Sequence, residues 1–356
     1  MKVTFPHLGK VYIAGKAFLE AIGCDYIIPP PISKKTIELG VKNSPEFVCY
    51  PYKLTLGCML EALDLGADTI LMVGGKRGIC RLSYYSTLQE ATLRDMGYKF
   101  KMITLNQDNW RECIFKELRL STPRDYYSKL FRALLLARQK LKLIEEIEVL
   151  QRNTRCYEAH QGETTKVAEK SYKLLEGAKT LKEVKEARHK IHQLFNNIEK
   201  DYSIEPLKIG IVGEIYTVLE PMANHHLEEK LGNLGVKITQ EMSIYRWCKV
   251  LLHLDFRRWY IKRFIARKYI KITSGAEDQQ TLGKTELYAK RNYDGVILVY
   301  PFTCMPENNA RAILPYISKR FNIPVLNLAF DEHTSETGLI TRLEAFVDML
   351  RRRKCT

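Results

Sequence analysis

The stretch Asp294–Tyr300, Asp-Gly-Val-Ile-Leu-Val-Tyr, is apolar almost without a break. A strand with no polar face cannot turn one side to water, so it belongs inside a parallel sheet covered on both sides. Leu207–Val212, Val236–Gln240 and Ile323–Ala329 read as further strands. Helical patterns at Asn224–Asn233, Asn308–Arg320 and Gly338–Arg352 alternate with them, which predicts βαβ units. The first 120 residues alternate in the same way. Their strand-like runs are Val3–Pro6, Tyr26–Pro29, Phe47–Tyr50, Thr69–Val73 and Phe100–Thr104, and their helical runs are Tyr12–Ile22, Leu54–Leu65 and Tyr84–Met96. Between the halves, runs rich in Leu, Lys, Glu and Arg have helical spacing: Tyr126 to about Leu150, Thr164–Leu175 and Leu181–Lys200. The expected organisation is α/β: a parallel-sheet domain over 1–122, a helical connection over 123–204, and a second parallel-sheet domain over 205–356.

No apolar run reaches the ~18 residues a membrane helix needs, and the N-terminal segment lacks a signal-peptide core. A cytoplasmic protein with no membrane contact is expected. There its nine cysteines are not expected to form disulfides. The net charge of +15 calls for an anionic partner or an internal reason. Asp255–Lys271 concentrates that charge among aromatics. It reads foremost as an amphipathic element that buries Trp259, Tyr260, Phe264, Ile265, Tyr269 and Ile270. Docking of an acidic protein partner is a second reading, with nucleic acid and a membrane surface behind it.

A single cysteine is ordinarily a small buried hydrophobe. Cys49, Cys80 and Cys304 depart from that pattern. Each follows a β-rich run, each is hemmed by Gly or Pro, and cations lie near two of them: Lys53 near Cys49, and Lys76, Arg77 and Arg81 near Cys80. Reactive groups of α/β sheets lie at the carboxyl ends of strands. Three thiolates converging there would hold an iron–sulfur cluster with one iron left open. No CxxC is present, so spacing by itself leaves both readings standing. Gly74-Gly75-Lys76-Arg77-Gly78 fits neither a P-loop nor GxGxxG and is read as shaping the Cys80 loop. His160, His225 and His226 have no partners at ligand spacing and read as surface or helix histidines. Glu214, Tyr216 and Glu220 follow a strand. They are candidate proton donors or surface groups.

The block Pro301-Phe302-Thr303-Cys304-Met305-Pro306-Glu307, with Ile323-Pro324-Val325-Leu326, Asp331-Glu332-His333-Thr334 and Thr341–Phe346, resembles the 2-hydroxyacyl-CoA dehydratase / benzoyl-CoA reductase superfamily. The likeness is to its component D-related branch, which includes the double-cubane cluster proteins. Pro29–Pro31, Ser44–Cys49, Gly66–Ile70, Cys80-Arg81 with Tyr84-Tyr85, and Gly213–Tyr216 with Leu219–Pro221 extend it over almost the whole chain. The resemblance implies two Rossmann- or flavodoxin-like domains with a [4Fe-4S] cluster between them, held at the positions of Cys49, Cys80 and Cys304. A double cubane would need six cysteines, and Cys58 is then the additional ligand to expect. Gly74, Gly75, Arg81 and Phe302 would line the cofactor, with Phe47 and Met305 helping Phe302 to keep water out. Two local departures stand out: Lys76-Arg77 where relatives carry small residues or a Cys, and Ser274–Asp278 where many have a Gly-Gly-His-Gly-like turn.

The resemblance further implies an anaerobic, ATP-dependent reductase or dehydratase component. An activator ATPase with its own iron–sulfur cluster would feed it low-potential electrons for a small or CoA-linked substrate. A homodimer is expected and nucleic acid is not. A non-catalytic cluster scaffold or electron carrier is the alternative.

Overall fold

The computed structural model describes residues 1–74, 80–106, 112–118, 123–203, 205–251, 255–275 and 277–355. The chain divides into two compact units, residues 1–144 with 175–186 and residues 145–174 with 187–356.

In the first unit, β1 (Lys2–Thr4), β2 (Asp25–Tyr26), β3 (Thr69–Val73) and β4 (Lys101–Leu105) form an all-parallel sheet of order β2-β1-β3-β4. Its helices are α1 (Tyr12–Ile22), α2 (Lys34–Lys42), α3 (Tyr50–Asp64) and α4 (Tyr85–Asp95). The expected strand at Phe47–Tyr50 is not one. Cys49 instead caps α3, and Pro51 occupies that helix's first turn. A missing N–H costs no bond there, so the proline starts a helix where the aromatic run had suggested a strand. The helix α2 was absent from the sequence expectation, although Ser33 and Thr36 form a reciprocal capping box at its start.

The α3 helix is buried on nearly every side and crosses α2 at backbone contact. A Cβ on Gly40 would lie 1.8 Å from the Lys53 carbonyl oxygen, and one on Gly57 would lie 2.1 Å from that of Thr36. Neither obstacle is a flexible side chain, so the helices would have to part. Gly57→Ala is expected to lower the unfolding free energy by about 3 kcal/mol or more, read by urea denaturation. A loss below about 1 kcal/mol would mean that the two helices do not approach this closely.

The helical stretch comprises α5 (Pro123–Thr154), α6 (Glu163–Gly177) and α7 (Leu181–Asn196).

In the second unit, β5 (Leu207–Gly213), β6 (Val236–Gln240), β7 (Gly295–Pro301) and β8 (Val325–Phe330) form an all-parallel sheet of order β6-β5-β7-β8. Taken in chain order, this is the arrangement of the first sheet repeated. All of β7 is buried, as its apolar sequence requires. Around the sheet lie α8 (Ile215–Leu219), α9 (Leu227–Asn233), α10 (Ile244–Leu251), α11 (Phe256–Tyr260), α12 (Asp278–Lys290), α13 (Met305–Phe321) and α14 (Glu336–Cys355). Val212, Leu282, Val296, Leu298 and Leu314 share the core between sheet and helices.

The basic run Asp255–Lys271 departs from expectation. Trp259, Tyr260 and Phe264 are 58%, 51% and 59% exposed, and Tyr269 and Ile270 are only partly covered. The cause is a change of winding. After α11 the chain forms a π-turn over Ile261–Ile265, which directs Ile261, Ile265 and Ala266 inward. The cations facing the core are paired. Arg257 meets Glu241 at 2.7 Å, and Arg258 makes two bonds of 2.7 and 2.8 Å to Glu277. Lys268, Lys290 and Tyr269 converge on the buried Glu286. Burial alone would raise that carboxyl's pKa; these three partners overcome it and hold the group below its usual range. Part of the positive charge therefore has an internal reason. No helix among the described residues is long and apolar enough to cross a membrane.

Candidate functional site

Cys49, Cys80 and Cys304 occupy one kind of position. Each is the residue before a helix's first turn, with extended backbone: φ −75°, ψ 155° before α3; φ −85°, ψ 145° before the 3₁₀ turn Arg81–Tyr84 that leads into α4; φ −72°, ψ 108° before α13. First-turn N–H groups have no partner inside a helix and form its positive end, which favours a thiolate beside them. In both Cys49-Tyr50-Pro51 and Cys304-Met305-Pro306 a proline follows within the first turn. Cys80 and Cys304 also correspond in topology, each following the third strand of its sheet.

Within the first unit the Cys49 and Cys80 loops are tied together. Arg81 Nη1 donates to the Phe47 carbonyl at 3.0 Å. The Tyr85 hydroxyl accepts from the Cys49 N–H at 3.3 Å and also meets Cys49 Sγ. Burial first, and then the Cys49 thiol, push the Tyr85 phenol far above its ordinary pKa, so it is a neutral hydrogen-bonding group. Gly74 has φ +152°, and a Cβ there would come within 2.9 Å of Ser83 O and Ser86 Oγ. It therefore lets β3 run close against the turn after Cys80. Gly75, Lys76 and Arg77 lie outside the described residues.

In the second unit Cys304 is 5% exposed. Its N–H donates to Pro301 O at 2.8 Å, and the Asn308 amide donates to Cys304 O at 2.8 Å and Phe302 O at 3.0 Å. Phe47 and Phe302 lie in turns and Met305 opens α13; their side chains are 78%, 64% and 47% exposed.

Cys58 lies nine residues along α3 from Cys49. At 1.5 Å per residue the two are about 13 Å apart, too far to share one cubane. Of the other cysteines, Cys24 and Cys113 are buried, Cys156 and Cys248 are half-buried and Cys355 is exposed. Cys24 and Cys113 donate to the carbonyls of Leu118 and Thr104. Burial pushes Cys24 and Cys156 up to about 11 and raises Cys248.

The candidate proton donors Glu214, Tyr216 and Glu220 are all buried. Glu214 caps α8, accepting from the Tyr216 N–H at 2.9 Å and from the Thr217 N–H and hydroxyl at 2.8 Å each. Glu220 accepts from the Met222 N–H at 3.2 Å. Sequence reasoning passed over the more unusual carboxyl. Glu307, three residues after Cys304, is completely buried. One oxygen accepts from the Thr281 hydroxyl at 2.9 Å and the other has no partner among the described residues. Desolvation, together with Glu277, Glu214 and Asp278 nearby, raises its pKa well above the carboxylate range. Asp278 in turn holds the departing turn in place, accepting from Thr273 and Ser274.

A carboxyl whose pKa rises on folding contributes stability that is complete below about pH 4.5 and is lost as pH climbs. Glu307→Gln keeps an acceptor for Thr281 but cannot ionise. The variant is expected to match the parent at pH 4.5 and to exceed it at pH 8 by about 1–3 kcal/mol, a rise of several degrees in melting temperature. A variant less stable at pH 8 than at pH 4.5, relative to the parent, would contradict the assignment.

Among the described residues no group of three or more His, Cys, Asp or Glu side chains is gathered as metal ligands. The thiols are divided two and one between the units. Sulfur donors on extended, glycine- and proline-framed turns suit iron–sulfur ligation chemically. No curated protein matches the chain. The family model of the 2-hydroxyglutaryl-CoA dehydratase D-component matches residues 16–350, which takes in every strand but β1 and all three helix-capping cysteines. The chain therefore belongs to the 2-hydroxyglutaryl-CoA dehydratase D-component family.

Proposed function

We propose that this dehydratase-type component is an oxygen-sensitive iron–sulfur protein held by Cys49, Cys80 and Cys304. In this reading a separate ATP-hydrolysing activator, itself an iron–sulfur protein, delivers single low-potential electrons to it for reduction of a small or CoA-linked substrate. The observation that carries the reading is the shared helix-capping position of three cysteines within a chain matched to this family over residues 16–350. When bound, a [4Fe-4S] group on three thiolates would supply one-electron chemistry and leave one iron open to exchange. The chain's own groups do the holding. Arg81 and Tyr85 fix the first two cysteine loops, and Asn308 fixes the third. The helix ends offset negative charge at the thiolates. Glu307 retains a proton where ordinary carboxyls have lost theirs. A cytoplasmic setting and a homodimer complete the proposal.

The test is anaerobic purification or reconstitution, followed by iron and sulfide counts per chain and then by addition of an activator with ATP. Bleaching of the cluster absorbance followed by turnover supports the enzyme. Transfer of iron and sulfide to an apo-acceptor without turnover favours a carrier. A colourless, iron-free chain after reconstitution overturns both.

A further inference from the structure

At the carboxyl ends of β5 and β6, within the second unit, lies a pocket that the redox reading does not use. Ile215, Met242 and Trp247 line part of its wall, and the charged remainder is mixed: Arg246, Arg257, Arg258 and Lys284 beside Glu241, Asp255 and Glu277. Crevices beyond the carboxyl ends of parallel strands are the usual ligand positions of such sheets.

The ion pairs of the wall leave one cation out. Arg246 is paired with Glu145, Arg257 with Glu241, and Arg258 with Glu277. Asp255, the remaining acid of the wall, caps α11 by accepting from the Arg258 N–H at 2.9 Å. Lys284 is different. It rises from the middle of α12, is only 9% exposed and lines the pocket. Its ammonium has no hydrogen-bond or ion-pair partner among the described residues. A buried lysine without a bonded partner bears a desolvation penalty that charges at a distance offset only in part. Burial pushes its pKa down, against the attraction of Glu277 and Glu241.

We propose that this pocket binds a small monocarboxylate with a short apolar chain, its carboxylate accepting from Lys284 Nζ and its chain lying against Trp247, Met242 and Ile215. One unpartnered ammonium matches one negative charge, and the apolar wall favours a hydrocarbon tail over a bare oxyanion. A dianionic phosphate would bring a second charge beside Glu241, Glu277 and Asp255. The inference goes beyond the iron–sulfur reading and stands without it.

The experiment is isothermal titration calorimetry on the purified full chain at fixed ionic strength, with sodium butyrate and sodium phosphate as probes. Butyrate should give a saturable, one-to-one heat, and phosphate should bind at least tenfold more weakly. Lys284→Met, confirmed folded by its melting curve, should bind butyrate at least tenfold more weakly than the parent. In the unmutated chain, butyrate should slow acetylation of Lys284 by acetic anhydride, read by peptide mass spectrometry. This second readout holds even if the variant fails to fold. Absence of saturable butyrate heat with unchanged Lys284 acetylation overturns the proposal. So does a folded Lys284→Met chain that binds butyrate equally, and so does tighter binding of phosphate than of butyrate.

Discussion

Cys304→Ala, reconstituted anaerobically, is expected to hold less than about a tenth of the parent's iron and sulfide, and so are Cys49→Ala and Cys80→Ala. Three protein thiolates leave one of a cubane's four irons open; losing a thiolate leaves a second iron without a protein ligand and weakens the hold on the cluster. Misfolding is a weak rival explanation. The Cys304 thiol makes no capping hydrogen bond to α13, and those of Cys49 and Cys80 make none to their helices. Alanine at such a position is expected to cost about 1 kcal/mol or less. Cys156→Ala serves as the control, since that thiol sits in the 3₁₀ turn after α5 and bonds the Asn153 carbonyl. It should keep full iron. If the three variants load like Cys156→Ala, the ligand assignment is wrong and the redox proposal with it.

Gly213→Ala is expected to cost more than about 4 kcal/mol and to leave little folded second unit. Two independent reasons coincide. The residue has φ +137°, where an L side chain is strained. An added Cβ would also lie 1.8 Å from the Val299 carbonyl oxygen and 2.7 Å from its carbon, on the neighbouring strand. That same oxygen accepts from the Glu214 N–H at 2.9 Å, so the strand cannot withdraw without losing the bond that starts the Glu214 turn. Gly162→Ala separates strain from collision. Its φ is +91° with nothing within 4 Å, so only about 1–2 kcal/mol should be lost. Equal losses in denaturant titrations of the two variants would mean that β5 and β7 are not so closely apposed.

The two sheets were legible because short β-rich runs alternate with helical patterns, and β7 is apolar almost throughout. Val236–Gln240 has the boundaries read from sequence, and α1 does too. The helix α12 was not legible, for the opposite reason. Asp278, Gln279, Gln280, Thr281, Lys284, Thr285 and Glu286 are all buried, so no apolar stripe marks it. That one helix carries Lys284, Thr281 and Asp278, with Glu277 just before it. The polar chemistry of the second unit was therefore hidden where hydrophobic periodicity has nothing to detect. Phe47–Tyr50 misled because aromatic content suits a strand, whereas Pro51 is the better signal and points to a helix start. The aromatics of Asp255–Lys271 misled because a π-turn rotates the helix face partway along. The capping positions of the cysteines had a visible trace, the repeated Cys-x-Pro, at two sites of three.

The centre of each sheet joins strands far apart in the chain: Val3 beside Thr69, and Ile209 beside Gly295. Neither pair can zip until the ribosome has delivered everything between them, and pairings of such long contact order close slowly. During that wait the oily strand β5 has no neighbour from β7 to shield it, which exposes the nascent chain to aggregation. Recombinant yield should therefore respond to slower translation and to chaperone supply more than to any change at the finished surface.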